Sequence, residues 1–153
     1  MIAFLIGLML TAASPSLANS TVVCKIGSIA LHDLLKVNSN EEIDTYYAGA
    51  DANRPDLLTV CPKLKSELPK SYPIADDDAR SRAAVHAPAP GQHVREAFIY
   101  SVGVPKISSD SKSAVVHFGF SCTGLCGAEL EVRYIRTSKG WQRSGEIRML
   151  SVS

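Results

Sequence analysis

Three residues in the second half of this chain could do acid–base chemistry if folding brought them together: His117, Glu131 and Arg148. A carboxylate beside an imidazole raises its affinity for a proton and can poise it as a general base. Ser101 could extend the row. The plainer reading is a solvated sheet face with paired charges, and it is the preferred one. No nucleophile accompanies the row, since Gly-Phe-Ser-Cys at 119–122 does not form a nucleophile elbow. A second set, Asp76-Asp77-Asp78 with His86 and His93, offers cation ligands. Its aspartates are consecutive, and the alternating loop with a closing glutamate is missing. They suit instead the positive end of a short helix from Asp76 to Val85, with Arg80 and Arg82 nearer the negative end. Lys63, Lys65 and Lys70 read as a solvated helix face. The four cysteines, Cys24, Cys61, Cys122 and Cys126, match no repeated zinc-ligand spacing. No metal and no other cofactor is expected.

The elements that must position these groups come from the pattern after Arg95, where the apolar period becomes two. Four strands are expected, near 96–104, 112–121, 128–136 and 141–149. Cys122 and Cys126 set their alignment. Residues four apart on a continuous strand are about 13 Å apart, whereas a disulfide needs Cα atoms about 4.4–6.8 Å apart. A bridge therefore requires a turn at Thr123-Gly124-Leu125, with the cysteines facing across its base. Phe120 then opposes Ala128, Phe118 opposes Leu130, Val116 opposes Val132 and Ala114 opposes Tyr134. That face is wholly apolar. On the other face His117 meets Glu131, Gly119 meets Glu129 and Val115 meets Arg133. A slip of one residue would send the apolar sets to opposite faces. A Lys139-Gly140 turn would next place Leu130 against Met149, Val132 against Ile147, Glu131 against Arg148 and Arg133 against Glu146, at the cost of Arg136 beside Arg143. For the first hairpin, Phe98 opposite Phe120, Tyr100 opposite Phe118 and Val102 opposite Val116 keeps the same face apolar. The result is an antiparallel meander. Tyr100, Phe118 and Tyr134 would line a small-molecule pocket if one opened between this face and the helices; a filled core is preferred.

The first half reads helical. Ile29, Leu31, Leu34 and Leu35 form one amphipathic run. Ser39-Asn40-Glu41-Glu42 has the form of a capping box, which would open a helix carrying Ile43, Tyr46 and Tyr47 and fading at Gly49. Pro55 opens a further run with Leu57, Leu58, Cys61 and Leu64, bent or ended by Pro62. Helices first and strands last make the class α+β, with the helices packed on the four-stranded meander.

Met1 to Ala18 carries no charged side chain and holds a short apolar block, then Ser16-Leu17-Ala18 as a small-x-small cleavage signal. Residues 1–18 are therefore read as a signal peptide and 19–153 as one domain, periplasmic or secreted. Val23 before Cys24 does not suit lipidation, and no membrane insertion is expected after cleavage. On an oxidising route the four cysteines imply two bridges. Three connectivities are possible for four cysteines; the expected set is Cys122 with Cys126 and Cys24 with Cys61, a pairing the sequence alone does not decide. The formal net charge of +1 gives no reason to expect nucleic acid or an anionic membrane as partner.

The stretch from Ala114 to Gly127, with its Cys-x-x-x-Cys-Gly turn, and the later Lys139-Gly140-Trp141 resemble uncharacterised exported bacterial proteins. Some of these are similar to the nuclear transport factor 2-like cone, in which helices cover a bent sheet. The resemblance covers the C-terminal third and implies no reaction, because that fold hosts enzymes and binders alike. The leading expectation is a non-catalytic binding or accessory module that contacts a protein or envelope component. The alternatives are a small enzyme using His117 with Glu131, and a small-molecule binder with its pocket between helices and sheet.

Overall fold

A computed structural model describes residues 17–37, 44–49 and 55–152, with only the backbone considered at 17–19 and 35–37. Helix α1 spans Leu17–Val37 and runs without proline. Ile26, Ala30 and Leu34, each four residues on from the last, lie fully buried on one stripe, with Leu31 beside them. The stripe includes Gly27, where a Cβ would lie 2.4 Å from Leu57 Cδ1. Glycine is thus what lets the next helix approach. That helix, α2 at Leu57–Val60, is capped by Asp56, whose carboxylate accepts from the Leu58 N–H at 2.8 Å. A 3-10 helix follows at Pro62–Glu67, opened by the proline. Cys24 and Cys61 are bridged, Cα to Cα 5.6 Å, which ties α1 to the end of α2.

The segment expected to form a helix through Tyr46 and Tyr47 is instead strand β1, Asp44–Tyr47. It pairs in parallel with β2, Ala97–Val102. Strand geometry sends adjacent side chains to opposite faces. Tyr47 is fully buried in the core, while Tyr46 goes to the other side and meets Arg82. Aromatic side chains suit a strand, and the open edge of β2 supplies the backbone partners that a lone helix of this length lacks. The supposed capping box and Ile43 fall outside the described residues.

Helix α3, Asp77–Ala83, has Asp76 as its cap, Asp77 and Asp78 in its first turn, and Arg80 and Arg82 in its last. The remaining strands are β3 (Lys106–Ile107), β4 (Ser113–Cys122), β5 (Cys126–Thr137) and β6 (Gly140–Val152). The sheet is mixed and six-stranded, ordered β1-β2-β4-β5-β6 with β3 against β4, so the class is α+β. Buried residues of α1 and α2 share one cluster with Val102, Val116, Phe118, Val132 and Tyr134 of the sheet.

Of the three expected strand alignments, one is met and two are altered. The β4–β5 pairing runs from Cys122 opposite Cys126 to Ala114 opposite Tyr134, with His117 opposite Glu131. It matches the alignment deduced from the cysteine spacing. The β2–β4 pairing is offset by two residues from the expected one: Phe98 meets Cys122, Tyr100 meets Phe120 and Val102 meets Phe118. A two-residue offset keeps every side chain on its face, so the apolar pattern does not distinguish the two. In the β5–β6 hairpin, Leu130 meets Met149 and Glu131 meets Arg148 as expected. Beyond an irregularity between Glu131 and Arg133, the pairing becomes Arg133 with Ser144 and Arg136 with Trp141. Gly145, at φ 76°, adopts the left-handed conformation there. The bulge replaces the Arg136–Arg143 clash with an Arg136–Trp141 pair, and the turn becomes Ser138-Lys139.

Candidate functional site: a histidine between carboxylates on the open sheet face

His117 stands on β4 with its side chain one-third exposed. It points away from α1 and α2 because its neighbours Val116 and Phe118 point toward them, and both are fully buried; α3 packs on the same face as His117, over Ala97 and Ile99 of β2. Its Nδ1 lies 3.2 Å from Glu129 Oε1, and its Nε2 lies 3.7 Å from Glu131 Oε2. Both carboxylates come from β5, two residues apart on the same face. The other oxygen of Glu131 lies 3.5 Å from Arg133 Nε and 3.5 Å from Arg148 Nη2. Glu131 is the shielded centre of the group, at 13% exposure against 64% for Arg148 and 66% for Arg133.

His117, Glu131 and Arg148 are therefore brought together, and Glu129 and Arg133 join them. Sequence reasoning placed Glu129 opposite Gly119 and missed its reach. The signal was present: Gly119 has no side chain to hold Glu129 in place, so the carboxylate can lean one pair along to the imidazole. Ser101 lies opposite Gly119, and its hydroxyl reaches the Gly119 carbonyl at 3.4 Å rather than the histidine. A Cβ at Gly119 would sit 3.0 Å from that hydroxyl oxygen.

The candidates for a pocket between helices and sheet occupy the core. Phe118 and Tyr134 are fully buried and Tyr100 nearly so. The Tyr134 hydroxyl donates to buried Asp33 of α1 at 2.9 Å. Tyr100 packs edge-on to Tyr72 and against Phe120. Tyr47 likewise donates to Asp56 at 2.9 Å. Burial pushes all three phenols well above the ordinary tyrosine range, and the neighbouring carboxylates Asp56 and Asp33 push Tyr47 and Tyr134 further.

The second bridge, Cys122 to Cys126 with Cα atoms 5.6 Å apart, closes the β4–β5 turn. That turn is clamped from outside. Thr123 donates its hydroxyl to the Arg82 carbonyl at 3.0 Å and accepts from the Ala97 N–H at 3.1 Å. The Gly124 N–H donates to the Val85 carbonyl at 2.8 Å. Arg82 in turn reaches Asp78, Asp44 and the Tyr46 hydroxyl. Asp76 to Asp78 thus serve α3, while His86 and His93 are exposed in the connection after it. Among the described residues no group of three or more His, Cys, Asp or Glu is placed to hold a metal ion. Lys63, Lys65 and Lys70 are exposed on and just after the 3-10 helix.

These features define a disulfide-bonded α+β domain that presents a linked row of charges on one open sheet face. The two bridges are compatible with an oxidising, extracytoplasmic location, and no described helix is long and apolar enough to cross a membrane. Comparison with protein-family models, curated proteins and solved structures found no match.

Proposed function

We propose that this protein is an exported, non-catalytic binding or accessory module whose charged sheet face contacts a protein or another envelope component. The observation that carries the reading is the enclosure of the His117 imidazole by carboxylates of its own chain, with Glu129 in hydrogen-bond reach of Nδ1 at 3.2 Å and Glu131 standing 3.7 Å from Nε2. A general base needs one nitrogen open to the proton it will abstract. Here the nitrogens sit between Glu129 and Glu131, and Glu131 is held by two guanidiniums. That arrangement suits a surface that displays fixed charge to a partner, where complementarity sets specificity and encounter rate. The enzyme alternative would have to work through Nε2, with the Glu131 carboxylate 3.7 Å from it.

Export rests on the signal-like residues 1–18 and on the two bridges. The cleavage point after Ala18 falls within the first turn of α1. As architecture, the reading is of helices covering the antiparallel β2–β4–β5–β6 run, in the manner of the nuclear transport factor 2-like cone. The cluster shared by α1, α2 and the sheet supports it.

Two experiments test the reading. A mass spectrum of the exported protein should report a mature chain beginning at Asn19 with both bridges intact; full-length, reduced protein would refute export. A photo-crosslinking side chain at Arg148 should trap a discrete envelope component in living cells, and Glu131→Lys should abolish the adduct. If no adduct forms from this face while His117→Ala removes turnover of an ester or isomerisation substrate without unfolding the protein, the enzyme alternative takes its place.

A further inference from the structure

On the opposite side of the sheet from His117, a cleft of about 420 Å³ opens between the start of α1 and the β5–β6 turn. Its volume falls in the range of small-molecule sites, about 300–1,000 Å³. Lys25, Arg136 and Lys139 line it together with Val22, Ser138 and Trp141. Among the described residues, none that lines it is acidic.

The cations of the cleft differ from four arginines elsewhere in the chain. Arg82, Arg95, Arg133 and Arg148 each face a carboxylate within salt-bridge distance. The side chains of Lys25, Arg136 and Lys139 have no ion pair or hydrogen-bond partner among the described residues. Like charges gathered in a concave site without a counter-charge raise the local potential and concentrate anions there. The turn that carries Lys139 is held in shape from within: Thr137 donates its hydroxyl to the Gly140 carbonyl at 2.8 Å and accepts from the Lys139 N–H at 3.2 Å. Trp141 lies nearly buried opposite Arg136 and adds an indole to the lining. The near-neutral total charge hides this local imbalance.

We infer that the cleft binds a phosphoryl group carried on a small apolar or aromatic body. Three cations match a doubly charged phosphate monoester better than a single carboxylate, with arginine supplying a planar fork and the lysines compact point charges. Val22 and Trp141 would receive the apolar body. The site lies on the other face from the charged row and stands independently of the proposed partner surface.

Trp141 is the chain's single tryptophan, so its fluorescence reports on the wall of this cleft and on the core it packs into. Phenyl phosphate titrated into the intact oxidised protein should give a saturable change that weakens as salt rises. Calorimetry should return the same Kd. Lys25→Gln with Arg136→Gln should raise that Kd at least about tenfold while the thermal melt stays in place, and Lys106→Gln, an exposed site on β3, should leave it unchanged. Benzyl alcohol and benzoate should bind far more weakly. A response to phosphatidic acid vesicles and not to phosphatidylcholine vesicles, lost in the same double variant, would assign the phosphoryl group to a lipid headgroup. Benzoate binding as tightly as phenyl phosphate would overturn the phosphoryl assignment. Absence of both heat and fluorescence change with phenyl phosphate and with the anionic vesicles would overturn the site.

Discussion

At the scale of single residues, the polar groups that matter most are buried ones with two jobs. Asp56 caps α2 and also receives the Tyr47 hydroxyl, so one side chain joins a helix start to an edge strand. Asp56→Ala should cost about 2–3 kcal/mol, roughly one for the cap and the rest for the stranded phenol. Asp56→Asn should recover most of it, because asparagine caps nearly as well; urea unfolding of the two variants makes the comparison. The exposed row around His117 belongs at the other extreme. Glu131→Ala should change stability by no more than about 1 kcal/mol, since partly exposed pairs lose in desolvation and side-chain ordering much of what they gain. A much larger loss on unfolding would mean that the row is a structural element of the sheet and not a presented surface.

At the scale of elements, close approach and covalent ties dominate. Gly27→Ala gains about 1 kcal/mol of helix propensity, yet its methyl would collide with a fully buried Leu57 that has little room to retreat. Overpacking of that kind costs about 1–3 kcal/mol, so the net effect should be a loss, read as a lower denaturation midpoint. The two bridges should contribute unequally. On the loop-entropy account, the bridge across 37 residues between Cys24 and Cys61 is worth about 4 kcal/mol and the short Cys122–Cys126 bridge about 2 kcal/mol. Serine pairs at each site should therefore rank in that order in thermal melts. The reverse order would show that the Thr123 clamp on α3 and β2 depends on the short bridge. Much of this scale was readable in advance: α3 with its aspartate cap, and the turn between Cys122 and Cys126. Gly27 was not, because nothing near it in the sequence indicates that α2 will cross there.

At the scale of the molecule, the main core lies between α1, α2 and the sheet, with a smaller cluster under α3 on the other face, and three neutral phenols are set into the main one. Above the ordinary tyrosine value of 10.0, the unfolded chain gives up these protons while the folded chain keeps them. The unfolded state then binds fewer protons, so stability should hold up to about pH 10 and fall beyond it, by about 1.4 kcal/mol per pH unit for each such group. Urea unfolding at stepped pH, followed by phenolate absorbance, checks this. Ionisation of all five tyrosines in a still-folded protein would contradict it. The amino-acid order alone determined the α+β class, the β4–β5 alignment and the face on which His117 meets Glu131. These follow from a two-residue period and from the short span a disulfide can bridge, and both act between near neighbours. Tertiary structure decided that Tyr46 and Tyr47 form a strand, because a free edge of β2 was waiting for them. It also chose the offset of β2, the bulge in β6, the lean of Glu129 and the gathering of Lys25 with Arg136 and Lys139. Each of those depends on which distant segment arrives alongside, and no local pattern of side chains encodes that.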